Sequence, residues 1–287
     1  MKKTPPSGLG IWSAFGLQGK SAAHHVDLLV SIGAGWFAPR ADLLTRMPDL
    51  VNLCHKSAIQ VFPWRYVTPN SAGMNDVASY RALVVGMDCD GIILDAEIEW
   101  DKDPAASYRA LSFGERLRAA LPDTWIADAP WPWIASHPGY PTAAFAEFCD
   151  ARLPQAYWTE IGVSVAVCLE RTSREWDAWE RKNPSLVRPV YPIGVTYSRP
   201  GHDVSMTEVN AFLDAEPGAS LYSLEAASPL VLAGLIKRAA RLSQFPPPEG
   251  WQPVSPAHAL GDADLAERQA ADTETDMRPV TDDEKIT

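Results

Sequence analysis

Three acidic residues occupy alternate positions at the end of an apolar stretch in the segment DCDGIILDAEIEW, residues 88–100. The run GIIL predicts a buried strand, and Asp95, Glu97 and Glu99 follow it at every second position. Alternate side chains of a strand share a face, so these carboxylates are expected on one side. Mutual repulsion raises the pKa of one carboxyl and leaves a proton donor beside an ionised partner. We therefore predict Asp95 and Glu97 as a catalytic pair; ion pairing with Arg65 or Arg40 is the alternative.

Aromatic residues gather at the same ends of the predicted strands. The sequence contains 11 tryptophans, and a flat ring beside polar groups suits the apolar face of a sugar. General acid chemistry beside a stabilised positive charge is the chemistry of glycoside cleavage. The tryptophans predicted to contact a sugar, each with core packing as its alternative, are Trp12, Trp64, Trp131 and Trp158.

Other polar residues leave predicted strands at the same end. Asp128 ends the segment TWIAD, where it could tune the acid pair or bind a hydroxyl group. Arg65 follows the third predicted strand, where it could neutralise an acid or hold a substrate carboxylate. Tyr197 and Glu225 are weaker candidates. The six histidines and four cysteines show no metal-binding spacing, so neither a metal nor a cofactor is expected.

Charge and hydropathy narrow the class of partner. The formal net charge of −11 argues against binding to nucleic acid or to an anionic membrane. The first residues, MKKTPPSGLG, lack the apolar segment of a signal peptide, and no apolar run approaches the roughly 20 residues of a membrane span. We therefore expect synthesis in the cytoplasm and no membrane partner.

Strands and helices alternate along most of the chain. This alternation predicts parallel strands, and eight rounds in about 240 residues favour a (β/α)₈ TIM barrel over an open doubly wound sheet. No glycine-rich phosphate loop, typical of the open sheet, follows the first strand. The predicted strands are 9–15, 34–38, 59–64, 91–97, 124–128, 152–157, 188–195 and 219–224. The predicted helices are 21–32, 41–57, 70–86, 104–120, 141–148, 163–182, 205–215 and 229–242.

Two segments of different composition divide the chain. Residues 1–245 are predicted to form the barrel, and residues 246–287 an extended acidic tail that begins with three prolines. The tail holds ten acidic and three basic residues and few large apolar ones, so it is expected to be disordered or bound to a protein partner.

The segment DGIILDAE, residues 90–97, resembles the fourth-strand signature DGxDxDxE of glycoside hydrolase family 18, the chitinase-like barrels. The shorter pattern Asp-x-Glu also resembles the muramidases of family 25. The resemblance implies that Glu97 is the general acid and that Asp95 orients the substrate acetamido group. In the sixth predicted strand, Gln155 and Tyr157 of the segment LPQAYW are similar to polar residues that both families direct at the sugar. Two departures stand out: Ile93 replaces an inner aspartate, and the eighth predicted strand lacks the usual tryptophan.

Three functions remain open from the sequence. The first is a glycoside hydrolase that cleaves an N-acetylhexosamine polymer, either peptidoglycan or a chitin-like glycan. A peptidoglycan hydrolase without a signal peptide suits a phage or phage-like particle. The second is a catalytically inactive barrel that binds carbohydrate or serves as a structural component of a larger, phage-like assembly. The third is a metal-dependent hydrolase that uses the row of acids.

Overall fold

A computed structural model describes residues 4–70 and 77–244 of the chain. The predicted tail, residues 246–287, lies outside the described residues. The strands follow the predicted order, and the third predicted strand is divided at Phe62 and Pro63. The strands are β1 (Leu9–Ser13), β2 (Ala34–Pro39), β3 (Gln60–Val61), β4 (Trp64–Val67), β5 (Gly91–Ala96), β6 (Trp125–Asp128), β7 (Ala151–Arg152), β8 (Ile193–Val195) and β9 (Ser220–Tyr222).

Helices fill the segments between the strands, and several begin at the serines that the sequence indicates. Ser205 and Glu208 form a reciprocal capping box, in which each side chain accepts a hydrogen bond from the backbone of the other. The α-helices are Ala22–Ser31, Ala41–Arg46, Leu50–Lys56, Val77–Arg81, Ile98–Lys102, Ala106–Ala120, Thr142–Phe148, Trp158–Ile161, Val165–Lys182, Met206–Ala215 and Pro229–Gln244. Among the described residues, none of these helices has both the length and the apolar character needed to cross a membrane.

All strand pairs are parallel, as the alternation of strands and helices predicts. One sheet has the order β3-β2-β1-β9-β8 and the other the order β4-β5-β6-β7. Isolated parallel bridges link the two sheets at both edges, from Arg40 to Trp64 and from Gln155 to Ile193. The fold is therefore α/β with parallel strands whose carboxyl ends all point the same way.

Strand residues alternate between two environments. In β5, Ile92 and Leu94 pack under the helices, whereas Ile93 belongs to a cluster that draws residues from both sheets. This shared cluster is rich in large rings: Trp36 lies 5.8 Å from Phe62, measured between ring centroids. The same alternation places the side chains of residues 95 and 97 above Ile93.

Candidate active site

A cavity of about 210 Å³ lies at the carboxyl ends of the strands. Asp95, next to last in β5, and Glu97, just beyond its end, both line it. Five of its other lining residues were predicted from the sequence as site residues, and Tyr197 was a weaker candidate. The lining, called the acid cavity below, consists of Trp12, Trp64, Asp95, Glu97, Trp131, Gln155, Tyr157, Glu160, Ile193, Tyr197 and Tyr222.

One amide group holds the two carboxylates together. Nε2 of Gln155 donates hydrogen bonds to Oδ1 of Asp95 (2.9 Å), to Oε1 of Glu97 (3.1 Å) and to the carbonyl oxygen of Ala129 (2.9 Å). An amide nitrogen carries only two hydrogens, so these three acceptors share them. The two carboxyl oxygens consequently lie within about 6 Å of each other. The carboxyls of Asp95 and Glu97 also influence each other directly, so the protonation of one affects that of the other.

Both carboxyls of this pair bind protons more tightly than usual. Burial raises the pKa of Asp95 well above its ordinary value, and the neighbouring charge of Glu97 raises it further. Burial also raises the pKa of Glu97, although the hydrogen bond from Gln155 opposes this effect. The pair is therefore suited to hold a proton at a higher pH than an exposed carboxyl group does and to transfer it to a bound molecule.

Six aromatic residues line the acid cavity, and the rings of five of them pack against one another. Tyr222, the last residue of β9, stacks on Tyr157 with 5.8 Å between ring centroids and lies 6.3 Å from Trp64. Trp12 lies 6.0 Å from Trp64, and its indole N–H donates to the hydroxyl of Ser220. The fifth ring is that of Tyr197, 6.2 Å from Tyr222. These rings provide flat apolar surface beside polar groups, which suits a sugar ring.

The tyrosine hydroxyls of the acid cavity remain protonated donors. Burial raises the pKa of Tyr222 to about 12, with contributions from the charges of Glu225 and Asp95. Burial and the charge of Asp95 likewise raise the pKa of Tyr157. At neutral pH both hydroxyls can therefore donate a hydrogen bond to a carboxylate or to a bound molecule.

Glu99 does not continue the row of carboxylates. The strand ends at Ala96, and Glu99 lies on the helix Ile98–Lys102, where its exposed carboxylate accepts a hydrogen bond from the Tyr66 hydroxyl at 2.6 Å. The alternation of a strand stops applying where the strand ends, which is why the expectation of three carboxylates on one face is wrong for the third.

The structure does not bring Asp128 to the acid cavity. Asp128 is completely buried and forms an ion pair of 3.2 Å with Arg152, which is also completely buried. The hydroxyl of Tyr140 donates a second hydrogen bond to the same carboxylate. The position at the end of β6 is as predicted, but the side chain points under the helices, because residue 128 shares its face with Ile126 of the helix-side cluster.

Trp158 and Arg65 also lie away from the acid cavity. Trp158 begins the helix Trp158–Ile161, has no exposed surface and packs 5.4 Å from the ring of Phe212. Arg65 lies on the face of β4 opposite Trp64 and donates a hydrogen bond to the hydroxyl of Ser79. In each case the preceding residue, Tyr157 before Trp158 and Trp64 before Arg65, has its side chain in the cavity. An error of one residue in the prediction therefore selects a side chain that points away from the cavity.

Three lining residues were not selected from the sequence as site residues. Tyr222 lies within the eighth predicted strand, 219–224, and is the last residue of β9, so the rule that strand ends build the site could have identified it. Glu160 lies on a short helix that the sequence did not predict, and its carboxylate accepts a hydrogen bond from the Tyr197 hydroxyl. Ile193 contributes apolar surface from β8.

Glu225, a weaker sequence candidate, has a structural role. Its Oε1 accepts hydrogen bonds from the backbone N–H groups of Ala14 and Phe15, at 2.5 and 2.7 Å. It thereby fixes the loop that follows β1. Within residues 4–70 and 77–244, no group of three or more histidine, cysteine, aspartate or glutamate side chains has the arrangement of a metal site.

Replacement of Asp95 by asparagine is expected to stabilise the protein at neutral pH. The pKa of Asp95 is raised in the folded state, so the folded state binds this proton more tightly than the unfolded chain does. The stability that this proton contributes is complete below the pKa of Asp95 in the unfolded chain, about 3.9. It is lost as pH rises toward the higher pKa of Asp95 in the folded state. The asparagine side chain cannot ionise and still accepts from Gln155, so we expect a Tm higher by about 2–4 °C at pH 7.

Thermal unfolding at pH 4 and pH 7 measures this effect. The difference between Asp95→Asn and the unmodified chain should shrink at pH 4, where the folded state keeps Asp95 protonated and the unfolded chain is about half protonated. Glu115→Gln, which removes an exposed carboxylate on the helix Ala106–Ala120, is the matched control and should leave Tm unchanged at both pH values. A lower Tm for Asp95→Asn at pH 7 would contradict the burial of an unfavourable charge.

Comparison with known proteins identifies the fold. No protein-family model and no curated protein matches the sequence. Solved structures do match. A chitinase from Chromobacterium violaceum ATCC 12472 aligns with a TM-score of 0.54 and 12% identity, over 82% of this chain and 99% of that one. A GH18 chitinase from Pseudoalteromonas aurantia aligns with a TM-score of 0.51 and 13% identity, over 82% and 99% of the two chains.

A second group of structures matches part of a longer chain. The β-D-glucuronidase from Dictyoglomus thermophilum aligns with a TM-score of 0.59 and 12% identity, over 83% of this chain and 51% of that one. At these identities the likeness establishes the fold alone. The chain therefore has a divergent glycosidase-like fold, in agreement with the class of fold that the segment DGIILDAE indicates.

Proposed function

We propose that this protein is a glycoside hydrolase that cleaves an N-acetylhexosamine-containing polymer by acid catalysis with assistance from the substrate. The observation that carries the proposal is the carboxylate pair, Asp95 and Glu97, held by one amide group within an aromatic cavity at the strand ends. Such a pair supplies the proton and the negative charge that glycoside cleavage requires.

The proposal includes a complete (β/α)₈ barrel. Backbone hydrogen bonds at both junctions between the sheets support it: the N–H of Phe62 donates to the carbonyl of Phe37, and the N–H of Ile193 donates to that of Pro154. With β3 and β4 counted as one interrupted strand, these bonds support the proposed arrangement of eight strands in a ring. In a barrel of this kind the active site lies at the carboxyl ends of the strands, where the acid cavity is found.

The closeness of the two carboxyls selects the mechanism. Inverting glycosidases keep their carboxyl groups about 6.5–9.5 Å apart to hold a water molecule, and retaining enzymes with a protein nucleophile place the two groups on opposite sides of the sugar. Asp95 and Glu97 share one amide donor and lie two residues apart at the end of β5, so a sugar cannot lie between them. The attacking oxygen is therefore assigned to the acetamido group of the substrate.

Each residue has a defined part in this mechanism. Glu97 protonates the glycosidic oxygen as the bond to the anomeric carbon breaks, while the acetamido oxygen attacks that carbon. Asp95 accepts a hydrogen bond from the acetamido N–H, and the hydroxyl of Tyr157 assists. Water then opens the cyclic intermediate, with Glu97 as the base that regains the proton. Gln155 keeps the two carboxyls in position throughout.

Incubation of the protein with chitin oligomers and with peptidoglycan glycan strands tests the proposal. New reducing ends are expected, and proton NMR of the first product formed should show retention of the anomeric configuration, because the substrate itself is the nucleophile. Inversion would contradict substrate assistance. It would instead favour a water molecule activated by a separate carboxylate such as Glu160, whose charge raises the pKa of Glu97.

A catalytically inactive, carbohydrate-binding barrel is the second candidate. The size of the acid cavity favours it, because about 210 Å³ is below the roughly 300–1,000 Å³ of typical small-molecule sites. The hydrogen bond between Tyr197 and Glu160 also joins two residues of the cavity wall. Binding of the same oligomers without release of reducing ends would support this candidate, including a structural role in a phage-like assembly.

A further inference from the structure

A second cavity, of about 430 Å³, lies beside the acid cavity. It is formed where the helix Ala41–Arg46 and the residues that follow Val77 meet the end of β4. Its polar lining includes Arg40, Asp42, Arg65, Tyr66 and Ser79, and we call it the arginine groove. Two arginines at one cavity contrast with the acid cavity, whose lining contains three carboxylates and no basic residue among the described residues.

Strand β4 separates the two cavities. Trp64 lines the acid cavity, whereas the next residue, Arg65, points from the opposite face of the strand into the arginine groove. Arg40 pairs through its backbone with Trp64, so it belongs to the same boundary. Tyr66 lines the groove and is 45% exposed, and its hydroxyl donates to Glu99 beside the carboxylate pair. A polymer bound in the acid cavity would therefore pass the mouth of the groove.

The two arginines differ in how they are neutralised. Arg40 donates two hydrogen bonds to Asp42, at 2.5 and 2.9 Å, and lies over the ring of Phe15. Arg65 is half-buried; its guanidinium donates to the Ser79 hydroxyl and lies 5.2 Å from the centroid of the Tyr80 ring. No carboxylate among the described residues forms an ion pair with Arg65, although several other arginines have one. Arg65 is thus a fixed positive charge without a counter-ion in that part of the chain.

We propose that the arginine groove is an anion-binding subsite in which Arg65 holds a carboxylate group carried by the glycan. The substrate is then an N-acetylhexosamine polymer that bears carboxylates, in preference to a neutral one. This inference rests on the proposed function, since it assumes that a glycan occupies the acid cavity. A guanidinium presents several N–H donors in a plane and matches a carboxylate with two hydrogen bonds.

Repulsion by the carboxylates of the acid cavity also predicts where the charged group of the glycan lies. A carboxylate inside that cavity would face Asp95, Glu97 and Glu160, and like charges at close range are unfavourable. The charged substituent must therefore lie outside it, on the unit or side group next to the bound sugar. The arginine groove is the neighbouring cavity that offers a positive charge at that place, so the two cavities together fix the direction in which the polymer lies.

Calorimetric binding to three probes tests this proposal, with the full chain carrying Glu97→Gln so that no probe is cleaved. The probes are soluble peptidoglycan glycan strands, the same strands with their carboxyl groups reduced to alcohols, and an N-acetylglucosamine hexamer. We expect the carboxylated strands to bind about tenfold more tightly than the reduced strands, as a charged hydrogen bond predicts. Added Arg65→Gln should remove this difference and leave the affinity for the two neutral probes unchanged.

Two further variants make the result specific. Arg65→Lys keeps the charge and should retain part of the preference, whereas Arg174→Gln, at an exposed position on the helix Val165–Lys182, should retain all of it. Equal affinity of the chain carrying Glu97→Gln alone, called the parent chain, for carboxylated and reduced strands would overturn the proposal. A preference for carboxylated strands that survives the added Arg65→Gln would also overturn it. If Arg65→Gln does not fold, the preference of the parent chain must still decrease with added NaCl.

Failure of the proposed function has a different signature. The unmodified chain is tested for release of reducing ends from the three probes. If it releases none, while the preference for carboxylated strands still depends on Arg65, the protein lacks the activity and has the subsite. A chain that cleaves the neutral hexamer and the reduced strands as readily as the carboxylated strands has the activity and lacks the subsite.

Discussion

The variant Glu97→Gln is expected to lower kcat by about 10²–10⁴-fold, because it removes the proton that the leaving oxygen must receive. The amide is nearly the same size as the carboxyl group, and its oxygen still accepts the hydrogen bond from Nε2 of Gln155. The fold and the affinity for the glycan should therefore be retained. Release of reducing ends from a chitin oligomer under saturating conditions measures kcat, and circular dichroism verifies the fold.

Glu99→Gln is the matched control for this variant. Glu99 is two residues further along the chain, is exposed, and accepts a hydrogen bond that a glutamine oxygen can also accept. Its kcat should stay within about twofold of the unmodified chain. Asp95→Asn should also lose most activity, since it removes the negative charge beside the acetamido group. Turnover by Glu97→Gln at the rate of the unmodified chain would show that the acid lies elsewhere.

Loss of the buried ion pair should cause the largest loss of stability among the variants considered. Arg152→Met leaves the carboxylate of Asp128 buried without its partner, for which we expect a cost of about 3–5 kcal/mol in the free energy of unfolding. Arg152 also donates to the carbonyl of Thr142 and lies near the rings of Trp176 and Trp179, at 5.0 and 5.3 Å. Those contacts would be lost too.

The pH dependence separates the charge effect from lost packing. Burial raises the pKa of Asp128, and the charge of Arg152 opposes that rise. Without Arg152 the pKa rises further, so the variant should lose stability more steeply as pH increases through that range. Urea unfolding at pH 5 and pH 8 measures the difference. Addition of Asp128→Asn should recover part of the loss at pH 8, because the isolated charge is then removed.

An exposed ion pair provides the control for this experiment. Arg46 lies 3.6 Å from Asp42, and both side chains are about half exposed. Arg46→Met should therefore change the free energy of unfolding by less than about 1 kcal/mol. A similar small change for Arg152→Met would mean that water or another cation reaches Asp128, in disagreement with its complete burial.

The periodicity of the sequence was sufficient to predict most of the secondary structure. Apolar runs of four to six residues between amphipathic segments predicted the parallel strands in their observed order, because each buried strand needs an unbroken apolar run. The serine at position 205, three residues before Glu208, marked the start of a helix. The sequence did not predict the helices Ile98–Lys102 and Trp158–Ile161, which are too short to show a helical period.

The sequence also determined where Asp95 and Glu97 lie. They follow an apolar run at alternate positions, so strand alternation predicts that both share the face of Ile93, and Glu97 keeps this direction one residue beyond β5. The resemblance of the segment LPQAYW in the sixth predicted strand then indicated Gln155 and Tyr157, and the structure brings both of them to the acid cavity.

Tertiary structure decided which strand-end residues face the cavity and which are buried elsewhere. Asp128, Arg65 and Trp158 have suitable residue types at suitable positions, but their side chains point toward the helices. That direction depends on the register between strands and on which neighbours fill the space, and neither is encoded in a single strand. Asp128 pairs with Arg152, 24 residues further along the chain, and Arg65 bonds to Ser79, 14 residues further along. Only the folded chain therefore shows that, among the described residues, Asp128 meets an opposite charge and Arg65 does not.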